Sequence, residues 1–294
     1  MNVNIYTLYS KIDNFKNNFK YNIKIYNKIG EGGYGIVYKL DNKYVIKIFK
    51  NSFYNKILDN SKKIIPSVDE NREINFFIDY IKYKKKNENY FIDVKLIGYL
   101  NNDFLYNKIN LKNSYFMIMP FCLPVHKLIN KYKFNLINED YKYNFVIQVM
   151  LRLVQIQQYI IYKFNYINYD IKFKNFMISN NDLLIKNIVN IDFSLIIKNN
   201  NDKYNLNYDY NIWPKVDNLE INYIIPYSVC INGLIILFGK KFIVNLNNEN
   251  YLEKIEILKT RPIIYDIFKK GMSLKINNDR FNHLLKNYFR KIKN

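Results

Sequence analysis

The spacing of apolar residues predicts strands in the first part of the chain. Strand-like alternation runs through 21–29, whereas residues 1–22 are polar with scattered aromatic side chains and are expected to pack as a leader on the first lobe. Further strands are predicted at 36–40, 44–49, 90–100 and 115–119.

Helical periodicity dominates after residue 122. The longest helix is expected over 138–162, where apolar residues lie on one face and no Gly or Pro interrupts the helix. A small hairpin should pair 176–179 with 183–185, and 189–193 should follow as a strand. Other helices are predicted at 125–132, 225–238, 251–259, 263–270 and 280–293.

Composition places the chain among folded proteins, because 49% hydrophobic and 17% aromatic residues exclude a disordered chain. There is no alanine, and Asn, Ile, Lys and Tyr dominate, as A/T-rich codons would produce. The net charge of +20 therefore reflects lysines spread along the whole chain rather than an arginine-rich block. A nucleic-acid partner is not expected.

Neither a secretory signal nor a membrane span is expected. The first residues lack an apolar signal region, and the longest apolar stretch, around 229–238, is too short to cross a bilayer. Cys122 and Cys230 match no zinc spacing, so free thiols in a reducing, cytoplasmic setting are expected.

A glycine-rich turn between two predicted strands is the first candidate site. It reads Gly-Glu-Gly-Gly-Tyr-Gly over 30–35. A dinucleotide-binding fold would open a helix here, but the β-branched run 36–40 and a turn at 41–42 follow instead. Glycines between two strands let backbone N–H groups approach phosphates without a side-chain clash.

Lys47 is the second candidate, because it interrupts the apolar strand 44–49. A lysine in the middle of such a strand needs an anionic partner. The alternative is an edge strand that turns this lysine to water.

Four polar residues form the third candidate. Asp170, Lys172 and Asn175 lie at short intervals in a polar turn, and Asp192 follows an apolar run. Phosphoryl transfer uses a carboxylate to orient a hydroxyl, a cation for the γ-phosphate, and an amide plus a second carboxylate for Mg²⁺. The alternative is that Asp and Asn merely favour turns.

Taken in order, these motifs resemble those of eukaryotic-type protein kinases. A lysine two residues after the Asp, as at Lys172, resembles the pattern of the serine/threonine class. The resemblance covers residues 29–194. It implies an α+β, bilobal fold with a β-rich N-lobe over 1–121 and a mainly helical C-lobe over 122–294. It also implies ATP and Mg²⁺ as cofactors and proteins with Ser or Thr acceptors as substrates; the oligomeric state stays open.

The resemblance gives each matching residue a role. Asp170 would orient the acceptor hydroxyl and take its proton, Lys172 would offset charge on the γ-phosphate, and Asn175 and Asp192 would hold Mg²⁺. The residues implied in nucleotide binding are Ile29, Gly30, Gly32, Gly33, Gly35, Val37, Lys47, Glu73, Met119 and Cys122.

Three of these assignments need an explanation. Glu73 lies one turn before Phe77 on a helix predicted over 69–82, so it is preferred to Glu70 as the partner of Lys47. Met119 would be the gatekeeper beside adenine, with the carbonyl of Pro120 and the N–H of Cys122 bonding the base. Ile29 and Val37 would cover adenine from above.

A narrower similarity links the chain to poxvirus serine/threonine protein kinases of virion morphogenesis. It rests on Gly-Gly-Tyr-Gly-Ile-Val at 32–37, Pro120 and Asp-Phe-Ser at 192–194. The chain departs from the kinase pattern at Asn168 and Tyr169, where His-Arg is usual, and at Ser194, where Gly is usual. Without that arginine, activity is not expected to depend on phosphorylation within 195–226.

Two further departures concern the predicted lower lobe: no Ala-Pro-Glu motif follows, and helix 225–238 lacks the customary Asp near Ser228. A pseudokinase that serves as a scaffold is therefore a second interpretation. A small-molecule kinase is a third, against which Lys172 argues. Nucleic-acid binding has only the charge in its favour.

Overall fold

The structure is a computed structural model that describes most of the chain. The described residues are 2–11, 16–32, 35–50, 72–83, 89–101, 105–106, 109–111, 114–125, 138–178, 185–193, 196–198, 220–244, 246 and 250–293. The chain divides into an N-terminal unit, Met1–Cys122, and a C-terminal unit, Leu123–Asn294. The division falls one residue after the boundary predicted between 121 and 122.

The described residues of the N-terminal unit form a seven-stranded antiparallel sheet, a two-stranded ribbon and one helix. In chain order the elements are β1 (Asn2–Ser10), β2 (Lys20–Lys24), β3 (Lys28–Glu31), β4 (Gly35–Lys39), β5 (Tyr44–Phe49), α1 (Arg72–Tyr83), β6 (Leu96–Leu100), β7 (Leu105–Tyr106), β8 (Ile109–Asn110) and β9 (Tyr115–Pro120). The sheet order is β2-β1-β6-β9-β5-β4-β3, and β7 pairs with β8.

The seven-stranded sheet curls, because three residues connect the strands at its two ends. In a flat sheet, six spacings would separate β2 from β3 by about 29 Å. The four steps from Lys24 to Lys28 span at most about 14 Å. The connection bonds to the end of β4: Tyr26 N–H donates to the Lys39 carbonyl at 2.8 Å, and Lys39 N–H donates to the Asn27 carbonyl at 3.0 Å.

The prediction of one strand over 21–29 is therefore wrong. Ile23 and Ile25 both point into the core, so the alternation that predicts a strand continues across the break. The two halves nevertheless pair at opposite ends of the sheet order. A period of two residues shows which side chains face inward, but it does not show which strand is the neighbour.

The prediction of a polar leader over 1–22 is also wrong. β1 is an internal strand between β2 and β6, and its inward side chains Val3 and Ile5 belong to the core. Close packing requires Gly98 on β6, since a Cβ there would meet the Tyr6 carbonyl and lie 2.9 Å from the Phe116 ring. Residues 90–95, also predicted as strand, lie before the start of β6. Phe91 forms an isolated bridge, and Lys95 N–H donates to the Ile118 carbonyl of β9 at 2.8 Å.

Aromatic packing fixes α1 within the N-terminal unit. The Phe76 and Tyr80 rings meet the Phe91 ring edge-on at centroid distances of 5.2 and 4.9 Å. Phe77 is fully buried beside them. This apolar face sets the rotation of the helix and leaves Glu73, one turn earlier, buried on the same element.

The C-terminal unit is mainly helical. Its elements are β10 (Leu123–Pro124), α2 (Glu139–Phe164), β11 (Tyr166–Asn168), β12 (Phe176–Ile178), β13 (Ile188–Asn190), β14 (Ile196–Lys198), α3 (Ile221–Phe238), α4 (Tyr251–Lys254), α5 (Pro262–Met272) and α6 (Asn278–Lys293). Short 3₁₀ turns lie at Phe173–Asn175, Ile185–Asn187, Lys240–Ile243 and Ile255–Leu258. The predicted helix 125–132 falls outside the described residues except for Val125.

Local signals define both ends of α2. The Asn138 side chain caps the first turn by accepting the Asp140 N–H at 2.8 Å. At the other end Asn165 adopts the left-handed conformation, with φ 55°, and its N–H bonds carbonyls of the last turn. The chain therefore turns sharply into β11, which leads to Asp170.

The central helix α3 packs against α2 and α5. A Cβ at Gly233 would lie 2.8 Å from Met150 Sδ and 3.0 Å from Phe268 Cζ, so a larger residue at this crossing would have to displace these side chains. The helix begins at Ile221, a turn before its predicted start, and includes Pro226.

Two helices, α2 and α3, are long and apolar enough to cross a membrane by length and composition alone. Both bury most of the relevant stretch inside the protein, 61% for α2 and 67% for α3, as core helices of folded domains do. These two helices are therefore only weak evidence for a membrane span among the described residues.

The prediction that 176–179 pairs with 183–185 is wrong for the part that the structure describes, while residues 179, 183 and 184 lie outside the described residues. β12 pairs with β13 in the register Phe176 to Asn190 and Ile178 to Ile188, while Ile185–Asn187 forms a 3₁₀ turn. Both segments are apolar, and the choice depends on tertiary contacts: the buried Arg152 of α2 donates to the carbonyls of Lys186 and Ile188, each at 3.1 Å.

Candidate active site

The N-terminal unit contains a buried ion pair between Lys47 on β5 and Glu73 on α1. Lys47 Nζ lies 2.8 Å from Oε1 and 2.7 Å from Oε2 of Glu73. The two residues are 9% and 2% exposed. Lys47 is therefore not an edge-strand lysine facing water. Glu70 lies outside the described residues, and the pair that the structure shows is the one predicted with Glu73.

The glycine turn connects β3 and β4 next to this pair. A Cβ on Gly35 would lie 3.0 Å from the Ile48 carbonyl oxygen and 3.3 Å from Lys47 Cε, so glycine lets β4 approach the lysine. Lys50 Nζ bonds Glu31 Oε1 at 2.6 Å and the Gly32 carbonyl at 3.1 Å. These contacts tie the turn to the end of β5.

Packing explains Gly35 but not the glycines before it. A Cβ on Gly30 would make only ordinary contact with Val37, and one on Gly32 would meet nothing within 4 Å. Neither has a positive φ that would demand glycine. Four of the eight glycines in the chain nevertheless lie between 30 and 35. The open space beside Gly32 fits the close approach of a ligand. Gly33 lies outside the described residues.

The predicted hinge follows β9. Met119 is buried opposite Val45, and Pro120 ends the strand opposite Tyr44. The Pro120 carbonyl accepts a weak 3.6 Å contact from the Cys122 thiol. Burial raises the pKa of Cys122 to about 11. On β3 and β4 of the same unit, Ile29 is exposed and Val37 is partly buried.

The C-terminal unit gathers Asp170, Lys172 and Asn175 in one turn. Lys172 Nζ lies 2.7 Å from Asp170 Oδ1. Asn175 Nδ2 donates to Asp170 Oδ2 at 2.9 Å and to its backbone carbonyl at 3.1 Å. The Asp170 carboxylate is thus held between a cation and an amide at spacings of two and five residues. Turn preference alone would require none of these side-chain contacts.

Backbone bonding joins this turn to the segment that carries Asp192. Ile191 N–H donates to the Asn175 carbonyl at 3.1 Å. The Asn175 amide nitrogen faces Asp170, which leaves its side-chain oxygen for another partner. That oxygen and the half-exposed Asp192 carboxylate are the ligand types that Mg²⁺ prefers.

No group of three or more His, Cys, Asp or Glu side chains gathers among the described residues. An all-protein metal cage is thus not found there. Magnesium is usually held by one or two protein groups together with substrate phosphates, so Asn175 and Asp192 fit that mode of binding.

Three asparagines to which sequence reasoning gave no supporting role form hydrogen bonds within this site. Asn232 on α3 donates to the Ile171 carbonyl at 2.8 Å. Asn168 accepts the Asp170 N–H at 3.0 Å, and Asn190 accepts the Asp192 N–H at 3.3 Å. The available signal was a lone amide within an apolar helix or strand, since buried polar groups need partners. Ser194 and 199–219, which include most of the predicted activation segment, lie outside the described residues.

The fold is the bilobal α+β fold of protein kinase domains, with a curled β-sheet N-lobe and a helical C-lobe. One similar structure is the ROP18 kinase domain in complex with AMP-PNP and sucrose, with a TM-score of 0.61 and 12% identity, covering 100% of this chain and 87% of that one. Another is the BubR1 kinase domain, with a TM-score of 0.60 and 14% identity, covering 92% and 80%.

Comparisons with protein-family models and with curated protein sequences give no match. At 12% and 14% identity, the structural likeness establishes the fold. The activity must be argued from the site.

Proposed function

We propose that this protein is an active protein kinase that transfers the γ-phosphate of ATP to a protein hydroxyl. The observation that carries the proposal is the triad Asp170, Lys172 and Asn175, in which one carboxylate is bonded by a cation and an amide within six residues. A carboxylate held in this way can orient an acceptor hydroxyl and take its proton.

The N-terminal unit supports nucleotide binding. The Lys47 ammonium is fixed by Glu73 and would contact the α- and β-phosphates, and the glycine turn leaves room for phosphate oxygens beside backbone N–H groups. Met119, Pro120 and Cys122 would contact adenine, with Ile29 and Val37 above it. The AMP-PNP complex of the ROP18 kinase domain is consistent with this use of the fold.

Asn175 and Asp192 would hold Mg²⁺, which neutralises charge on the phosphates when it is bound. Lys172 would offset charge on the γ-phosphate, and its presence supports Ser or Thr as acceptors. The local similarity at 32–37, Pro120 and 192–194 supports a further proposal, that the protein acts in assembly of a poxvirus-like virion.

The test is transfer of labelled phosphate from ATP·Mg²⁺ to casein or a basic protein by the wild type and Asp170→Asn. We expect the variant to lose about 10²- to 10⁴-fold in rate, as removal of a general base does, while it still binds nucleotide. No transfer by a wild type that binds ATP would support the pseudokinase. No ATP binding would contradict both interpretations.

A further inference from the structure

The same hydrogen-bonded turn precedes both aspartates of the proposed site. β11 ends at Asn168 and β13 ends at Asn190, and each is a three-residue strand. In each case the asparagine side chain accepts the backbone N–H of the aspartate two residues later, at 3.0 Å for Asp170 and 3.3 Å for Asp192. The chain thus contains two Asn-x-Asp turns in equivalent positions after a strand.

Both asparagines are buried at an energetic cost. Asn168 is 1% exposed and Asn190 is 0% exposed. Nδ2 of each has no hydrogen-bond partner within the described part of the chain. A buried, unpaired N–H donor is unfavourable, and an apolar side chain at either position would avoid it. The gain that offsets this cost is the side-chain oxygen, whose partner in each turn is the N–H of the acid.

The two turns are also connected. Ile191, the middle residue of the second turn, donates its N–H to the Asn175 carbonyl, and Asn175 in turn bonds the Asp170 carboxylate. A change in the direction of the Asp170 or Asp192 side chain would therefore alter the position of the other acid through Asn175.

We propose that Asn168 and Asn190 are positioning residues that aim Asp170 and Asp192, and this inference rests on the proposed kinase function. Fixing the backbone N–H of each aspartate fixes the direction in which its carboxylate leaves the chain. Asn168 acts on the acid that orients the acceptor hydroxyl, so its effect falls on kcat. Asn190 acts on the acid proposed to hold Mg²⁺, so its effect falls on the Mg²⁺ concentration that nucleotide binding requires.

The experiment compares Asn168→Ala and Asn190→Ala with the wild type in the full chain. Asn168→Ser and Asn190→Ser are the conservative variants, because a serine hydroxyl accepts the same N–H more weakly. Asn282→Ala is the matched control, since Asn282 is buried in the same unit and bonds Gln158 instead of either turn. Three quantities are measured: hydrogen exchange of the Asp170 and Asp192 amides, Mg²⁺ half-saturation of binding of a fluorescent ATP analogue, and kcat with KM for ATP.

We expect faster amide exchange at the aspartate that has lost its acceptor. Asn168→Ala should lower kcat about tenfold at unchanged KM for ATP, and Asn190→Ala should raise the Mg²⁺ half-saturation about tenfold, as loss of one hydrogen bond would. The serine variants should recover part of each effect, and Asn282→Ala should show neither.

The inference would be overturned if both alanine variants kept wild-type amide exchange, Mg²⁺ half-saturation and kcat. It would also be overturned if Asn282→Ala changed these quantities in the same way. If the wild type binds nucleotide but transfers nothing, the proposed function fails, and the exchange and Mg²⁺ measurements still decide the positioning roles. If it does not bind nucleotide, amide exchange alone decides whether the asparagines hold the two acids.

Discussion

The Asn232 side chain in the middle of α3 donates a 2.8 Å hydrogen bond to the carbonyl of Ile171, the residue after Asp170. The same Nδ2 group also donates to the Ser228 carbonyl, one turn earlier on the helix, at 2.7 Å. The proposed catalytic turn is therefore tied directly to the most buried helix of the C-terminal unit. Where the kinase pattern has an aspartate near 228, this chain uses an amide one turn later.

Asn232→Asp and Asn232→Leu test this tie. Neither side chain carries the N–H donor, so the Ile171 carbonyl would be left buried without its partner, at a cost of about 1–3 kcal/mol in free energy of unfolding. The Asn232→Asp change keeps the side-chain shape but turns a carboxylate oxygen toward two carbonyls, and we expect it to be at least as destabilising as Asn232→Leu. Denaturant unfolding of the full chain measures the difference. A stable Asn232→Asp variant with full activity would contradict the proposed tie.

The Lys47–Glu73 pair predicts that stability and activity can be separated. Lys47→Met removes the cation that lies 2.7 Å from the buried Glu73 carboxylate, and breaking a buried ion pair in this way typically costs about 3–5 kcal/mol. Adding Glu73→Leu removes that charge, so the double variant should regain most of the lost stability. It should still not transfer phosphate, because the proposed phosphate-binding cation is gone.

Thermal and denaturant unfolding of the wild type, both single variants and the double variant measure this coupling. The exposed pair Lys259 and Glu256, at 2.6 Å, offers a matched control in which we expect little coupling. A double variant no more stable than Lys47→Met would show that the loss arises from packing and not from an unpaired charge.

Burial of Cys122 predicts that its thiol is alkylated slowly in the native protein. Its pKa of about 11, raised from an ordinary value of 9.0, keeps the thiolate fraction at pH 8 about 100-fold below that of an unperturbed cysteine. Alkylation by iodoacetamide should be slower by about that factor in the native protein than in denaturant, with the site located by mass spectrometry. Rapid native labelling at pH 8 would contradict the burial of this thiol.

The same raised pKa fixes the direction of a pH effect on stability. The native state keeps the Cys122 proton to higher pH than the unfolded chain does, so the contribution to stability is complete below pH 9 and is lost as pH rises through about 11. Measuring the free energy of unfolding of the wild type and of Cys122→Ser over pH 8 to 11 isolates the contribution of this thiol. The stability of the wild type should fall more steeply with pH than that of the serine variant.

Gly98→Ala should disrupt the sheet where β6 meets β1. The added Cβ would collide with the Tyr6 carbonyl and the Phe116 ring, and we expect a loss of about 1–3 kcal/mol from overpacking. Gly32→Ala, whose Cβ would meet nothing within 4 Å, is the control for stability alone. Equal unfolding midpoints for the two variants would argue against the position of β1.

The candidate residues could be selected from sequence because each carries a local signal. Asp170, Lys172 and Asn175 are close in the chain, so their short spacing makes mutual contact possible, and the structure shows those contacts. Lys47 is conspicuous among the apolar residues of β5. The position of β1 was not predictable, because its partner β6 lies about 90 residues away and pattern alone does not select a partner.

The supporting asparagines were missed for a different reason. Asn is so abundant in this chain that Asn190 and Asn232 do not stand out by type, and Asn168 was noted only as a departure from the kinase pattern. Their roles emerge only when burial and hydrogen-bond partners are known. The Asn232 amide in the buried, mainly apolar middle of α3 was nonetheless a usable signal, since a buried amide without a partner would be costly.

The pairing of β1 with β6 has a consequence for synthesis on the ribosome. β1 and β2 emerge before β6 and can form a hairpin, but one edge of β1 stays unpaired until Leu96–Leu100 has been made. At about 5–20 residues per second, that wait is roughly 5–20 s, during which an open strand edge is available to other chains. Slowing elongation across 11–95 should therefore increase co-translational aggregation, and early chaperone binding should map to β1.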